Sequence, residues 1–176
     1  MLIIKRKWQS YWLWISLVSV LVMVACTPPW STTPQVPIDQ ELPFETIGAE
    51  AFGGEGREYP GDEPKLVLLL SAADIKPIEP WINAADVTAL QQVDFTDSAA
   101  IALFQGMQNS TGYGVVIERV GLRGQTLVVQ AQFWDPAPGS EVGAALTSPY
   151  HLVKIPKIAG LTTQMPLELH HYAIHE

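Results

Sequence analysis

Cysteine occurs once in the 176 residues, at Cys26. A single thiol forms no intramolecular disulfide, so a domain built from this chain must hold together by its core. Basic charge is scarce too, with ten Lys and Arg against eighteen Asp and Glu. Three of the ten, Lys5, Arg6 and Lys7, precede Cys26, and every acid lies after it. The part after Cys26 thus sets seven basic against eighteen acidic side chains, a balance of −11. A surface that acidic repels phosphate backbones, which argues against a nucleic-acid partner.

Several kinds of chemistry are also missing. No Gly-x-Ser-x-Gly occurs; "PGSEVG" has Pro138 where the first glycine would stand. "GGEGREY" has Tyr59 where a Gly-x-Gly-x-x-Gly loop would end, and acids where an anion would bind. Any two of the eighteen acids could meet in space, but no local pattern favours a pair. There is no internal repeat. The tail "ELHHYAIHE" is the best metal candidate: His170, His171 and His175 stand near Glu168 and Glu176, and His171 and His175 are four apart, one helical turn. So close to a chain end they are expected to fray, and neither a metal nor a cofactor is assigned.

The residues that are present begin with an address. The basic Lys5–Lys7 cluster precedes an uncharged run from Trp8 to Ala25, and "LVSVLVMVAC" ends on a small residue before Cys26. This layout is a secretory signal over residues 1–25. Its end resembles a bacterial lipobox, in which the cysteine is lipidated and becomes the mature amino terminus, although Met23 stands where leucine is usual. The same run is also just long enough to span a bilayer as an uncleaved anchor. Either way, the chain beyond Cys26 is expected in the bacterial cell envelope, exported and, on the first reading, held to the membrane by lipid on Cys26.

Residues 26–64 are expected to form a Pro/Gly-rich tether with at most one short strand, in "FETIGAEAF". As polyproline its first part could reach on the order of 50 Å. A globular β domain comes next, over 65–160, and then a histidine-containing tail over 161–176. "KLVLLLSA" reads as a strand buried on both faces. "IEPWINAADVTALQQV" reads as a short helix with Pro80 near its start, and "VDF" as a short extended piece. "AAIALFQGM" reads as a strand, with helix left open by its alanines. "YGVVIERV" and "QTLVVQAQFW" flank "GLRG", a hairpin signal. In the second of these, Leu127, Val129, Ala131 and Phe133 share one face. A Pro/Gly loop, "DPAPGSEVGAALTSP", leads to a last strand, "YHLVKIPK". The fold class is mainly β: a small antiparallel β-sandwich or sheet with one short helix.

From "VDF" onward the order of motifs resembles the carboxy-terminal domain of the protease complex subunit PrcB family. The shared features are "VDF", an apolar strand ending in glycine, the Thr111-Gly112-Tyr113 turn entering a strand, a Pro/Gly loop and "TSPYHLVKIPK". The resemblance covers roughly residues 66–158; Gly114 after Tyr113 departs from the family's usual pattern. It implies a non-catalytic accessory or binding module that assists or anchors an exported protein, such as a protease. Gly112, Tyr113, Pro149 and Tyr150 become the partner-binding candidates. Each also has a sufficient structural reason, a positive-φ turn or an anchoring tyrosine at a strand entrance. A second resemblance, of "NSTGY" to the loop of chagasin-type cysteine protease inhibitors, is the alternative. There the Asn109–Gly112 turn of an Ig-like sandwich would plug a protease cleft.

Overall fold

The structure, a computed structural model, describes residues 35–50 and 58–175. The expected signal segment and Cys26 lie outside the described residues. Eight strands form two four-stranded sheets: β1 (Gln40–Leu42), β2 (Glu45–Glu50), β3 (Lys65–Leu69), β4 (Ser98–Phe104), β5 (Gly114–Arg123), β6 (Thr126–Asp135), β7 (Tyr150–Pro156) and β8 (Leu167–His175). The strand order is β1-β5-β6-β8 in the first sheet and β2-β7-β4-β3 in the second. Among the described residues the one α-helix is α1 (Ala84–Gln91). Mainly β, with two sheets and one short helix, is therefore what the described residues form. Every strand pairing is antiparallel except that of β8, which runs parallel to β6.

Two apolar layers explain why the second sheet reads as continuous hydrophobic sequence. Odd residues of β4 and β7 (Ala99, Ile101, Leu103, Val153 and Ile155) face the first sheet and meet Val115, Ile117, Leu127, Val129, Ala131 and Phe133. Even residues (Ala100, Ala102, Phe104, Tyr150 and Leu152) face away, against Ile75, Ile78, Ile82, Val87 and Leu90 of the helical segment. A strand covered on both faces can carry no polar alternation. β3 also packs into both layers, through Leu66 and Leu68 on one side and Val67 and Leu69 on the other.

The helix is shorter than its sequence pattern. Pro80 falls in a separate 3-10 turn, Glu79–Trp81, and α1 starts after Asn83. The Asn83 side chain accepts from the Asp86 amide at 2.8 Å, filling one of the donors that a helix start leaves open. "VDF" is a turn rather than an extended piece: Asp94 accepts from the Thr96 amide at 2.9 Å through its side chain and from the Ser98 amide at 3.0 Å through its carbonyl.

Two expectations about the chain's ends are corrected. The segment 26–64 holds two strands, not at most one, and they join different sheets. The lead-in is fastened even before β1. The Val36 amide faces Gln130 Oε1 at 3.4 Å, Arg119 Nη1 donates to the Val36 carbonyl at 3.3 Å, and the Asp39 amide donates to the Leu122 carbonyl at 2.8 Å. At the other end, residues 167–175 are strand β8, in unbroken register with Leu127–Asp135.

Candidate functional site at the crossing loops

Two loops pass between the sheets at the same end of the sandwich: residues 105–113 link β4 to β5, and 136–149 link β6 to β7. They are bonded to each other from base to tip. At the base the Gln105 amide donates to the Pro149 carbonyl at 2.9 Å. Above it Gln108 and Thr147 exchange two backbone bonds of 2.7 and 2.9 Å, and the Thr147 hydroxyl donates to the Ser110 carbonyl at 2.9 Å. At the tip the Thr111 amide donates to the Gly143 carbonyl at 3.0 Å, while the Gly143 amide donates to the Thr111 hydroxyl at 2.8 Å. Gly112 makes this turn with φ of +95°, and a Cβ there would sit 3.0 Å from Pro136 Cγ and 3.2 Å from Val142 Cγ1. The "STGY" turn is thus the inner wall of a two-loop surface.

The outer wall is residues 138–146, all exposed. Val142 is 41 % and Leu146 58 % accessible, and with Leu167 they are the exposed large apolar side chains among the described residues. Beneath the loops, Gln105 Oε1 and Ser148 Oγ are buried without a hydrogen-bond partner. Each such group costs about 1–3 kcal/mol.

The four residues expected to touch a partner divide into two pairs. Gly112 and Tyr113 are half-buried at the loop surface, whereas Pro149 and Tyr150 are buried. Tyr150 has no accessible surface. Its hydroxyl donates to Asp86 Oδ2 at 2.7 Å and accepts from the Asn83 amide at 3.0 Å. Asn83 Nδ2 in turn reaches Asp86 Oδ2 and Glu50 Oε1, each at 3.0 Å. Burial is the main cause that raises the Tyr150 hydroxyl well above its ordinary 10, with the neighbouring carboxylates of Asp86 and Glu50 adding to it. Tyr150 ties β7 to α1 and β2 and, in this conformation, presents nothing to a partner.

Sequence reasoning missed Val142 and Leu146, although large aliphatic residues in a run of Pro, Gly and Ala were a legible signal. It also missed His151, an imidazole on the inward face of β7. The tail histidines are spread by strand geometry. His170 turns to the outer face with Glu168, which also pairs with Arg123. His171 lies on the opposite face, exposed at the sheet edge, and stacks on Phe133 with ring centroids 4.4 Å apart. His171 and His175 are about 13 Å apart along a strand, not one helical turn. Among the described residues no group of three His, Cys, Asp or Glu side chains could hold a metal ion.

Residues 99–156 match the family model described as PrcB C-terminal. The matched span runs from β4 to the end of β7 and contains both crossing loops with Gly112, Tyr113, Pro149 and Tyr150. It covers 58 of the 176 residues, so β1 to β3, α1 and β8 lie outside the PrcB C-terminal match. No curated protein and no solved structure matches the chain.

Proposed function

We propose that this chain is a non-catalytic binding module of the bacterial envelope, anchored by lipid on Cys26, that holds or assists an exported protein, with a protease as the first partner to seek. The observation that carries this reading is the exposed Val142–Leu146 segment, braced by the Thr111–Gly112 turn, inside the span that matches PrcB C-terminal. Apolar side chains held out on an ordered loop suit the centre of a protein–protein contact. The resemblance to a protease-complex subunit points to the class of partner.

The first strand enters the sandwich at the end opposite the crossing loops. β1 starts opposite Leu122, near the β5–β6 hairpin, and runs toward the crossing-loop end.

The test is affinity capture from solubilised native envelope with the full chain and with a Val142→Ser, Leu146→Ser variant whose urea midpoint is unchanged. We expect an exported protease with the native bait and at least a tenfold loss with the variant. Equal recovery by both baits would remove the loops from the contact. Absence of any reproducible exported partner would sink the module reading. Suppression of a purified cysteine protease by the chain, abolished by Gly112→Ala, would favour the inhibitor reading of Asn109–Gly112. A Cys26→Ala chain should leave the membrane fraction; its retention there would overturn the lipid anchor.

A further inference from the structure

His151 is the second residue of β7, 2 % accessible, with its imidazole inside the sandwich. Its two nitrogens are committed to different sheets. Nδ1 accepts from the Ile117 amide of β5 at 2.9 Å, and Nε2 meets the Thr46 hydroxyl of β2 at 3.0 Å. Because the backbone amide can only donate, Nδ1 must be unprotonated, so the proton rests on Nε2 and points at Thr46. Both contacted strands are irregular at these points. The β5–β6 register shifts between Ile117 and Arg119, and the β2–β7 register shifts between Thr46 and Gly48. The bulge in β5 sets the Ile117 amide toward the opposite sheet, where the imidazole accepts it.

We infer that His151 is an acid-released latch between the two sheets, whose protonation breaks the bond to Ile117 and loosens the crossing loops that join β7 two residues earlier. A second proton on the imidazole would have to go on Nδ1, placing an N–H against the Ile117 N–H. The same proton would leave a cation in an apolar layer of Ile117, Leu103 and Val153.

Among the described residues no counter-ion stands ready to hold that cation. On β7, Lys154 pairs with Glu45 of β2, and the Tyr150 hydroxyl lies in the other layer. Glu50 of β2 is bonded to Asn83. On β5, Glu118 accepts from Tyr172 and Arg119 pairs with Glu41 of β1. β4, Ser98–Phe104, has no titratable side chain, and on β6 Asp135 is met by Gln105. Burial alone then lowers the His151 pKa, from the ordinary 6.5 to about 4. A folded pKa below the unfolded one means that the unfolded chain binds the extra proton first. Stability is present above about pH 6.5 and is lost as pH falls through about 4.

The loops sit directly on this latch. Thr147 and Pro149, which bond to Gln108 and Gln105, precede His151 by four and two residues. Freed from Ile117, the start of β7 keeps its pairing to β4 but loses its tie across the sandwich.

The test is nitrogen-15 NMR of the full chain in detergent from pH 7.5 to 4, on native protein and on His151→Gln. The glutamine can accept from Ile117 and donate to Thr46 but does not titrate. Native His151 should show an unprotonated Nδ1 and a protonated Nε2 down to about pH 5, then titrate. As it does, the amides of Ile117, Thr111 and Gln108 should exchange faster, by tenfold or more. Those amides should stay protected in His151→Gln over the same range. The native folding constant should drop roughly twentyfold from pH 7 to 5 relative to the variant's. Titration near 6.5, a proton on Nδ1 at neutral pH, or loop amides indifferent to His151 protonation would each overturn the latch. The native titration decides these points even if the variant does not fold.

Discussion

Removing one oxygen, in Tyr150→Phe, separates the structural role of this residue from a role in contact. The Tyr150 hydroxyl is the only acceptor found for the Asn83 amide among the described residues, and it donates to an Asp86 carboxylate oxygen. Phenylalanine keeps the ring against Phe104, at a centroid distance of 6.0 Å. It leaves the half-buried Asn83 amide without an acceptor, a loss of about 1–3 kcal/mol. Asp86 loses its bond from the hydroxyl, but its Oδ2 keeps Asn83 Nδ2 and its amide keeps Asn83 Oδ1. Allowing for those remaining partners, the total should be about 2–4 kcal/mol. For a folded part of this size that is a fall of roughly 6–12 °C in Tm.

The assay is urea unfolding of both proteins followed by tryptophan fluorescence, with Tyr113→Phe as control. The control should unfold within about 0.5 kcal/mol of native, because Tyr113 is half-exposed at the loop surface. A second readout is alkaline pH. The Tyr150 pKa is raised in the folded state, so its contribution is complete below the unfolded pKa near 10 and is lost as pH rises above it. Tyr150→Phe should unfold with a shallower slope above pH 10. A change under 0.5 kcal/mol, or a variant of native stability that no longer binds a partner, would refute the assignment of Tyr150 to the β7–α1 junction.

Two glycines should resist even the smallest side chain. Gly48→Ala would put a methyl 2.1 Å from Asp86 Oδ1, where Asn83 and Tyr150 hold the carboxylate, and should cost about 1–3 kcal/mol with loss of protection at the Asn83 amide. Gly112→Ala adds the strain of positive φ to close contacts with Pro136 and Val142 and should cost about 1–3 kcal/mol. Amide-shift changes should then centre on residues 136–147 and leave the β5–β6 hairpin unchanged; native-like stability in either variant would count against these packing arguments.

The parts of the fold legible in the sequence are those that local pattern determines. The hairpin of β5 and β6 announces itself by a glycine-flanked turn, and Leu127, Val129, Ala131 and Phe133 all reach the sandwich core as their alternation requires. The parts that stayed hidden are held by distant partners. "QEL", three residues in a proline-rich stretch, has too little apolar surface to announce a strand, yet it pairs at a sheet edge with β5 over a register that its own residues do not encode. "LELHHYAIH" suggests a frayed or helical end, and only the parallel pairing with β6 makes it a strand. "VDF" turns because the Asp94 side chain competes for the backbone, a bond that hydrophobic period does not register. The site divides in the same way. The resemblance marked Gly112 and Tyr150 together, whereas strand parity, which puts Tyr150 with Leu152, buries it against the helical segment and away from the loop surface that holds Gly112.

The entrance to β7 shows why a residue such as Tyr150 can carry a motif without touching a partner. Three successive residues there fasten the chain in three directions. The Pro149 carbonyl bonds Gln105 beside it, Tyr150 reaches α1 on one side, and His151 reaches β5 on the other. A substitution at Tyr150 or His151 removes a bond that the side chain itself makes, and the cost falls on the whole sandwich; the Pro149 bond is made by backbone. A few residues earlier, between Pro138 and Leu146, the chain is exposed and meets the turn at Thr111 and Gly112. Substitutions at Val142 or Leu146 therefore change what the surface offers at little cost in stability. The fixed entrance lets the loop vary its contact chemistry while its position stays set. If the loops bind a partner, its identity should be read from residues 138–146, and the adjoining "SPYH" should be read as the mounting.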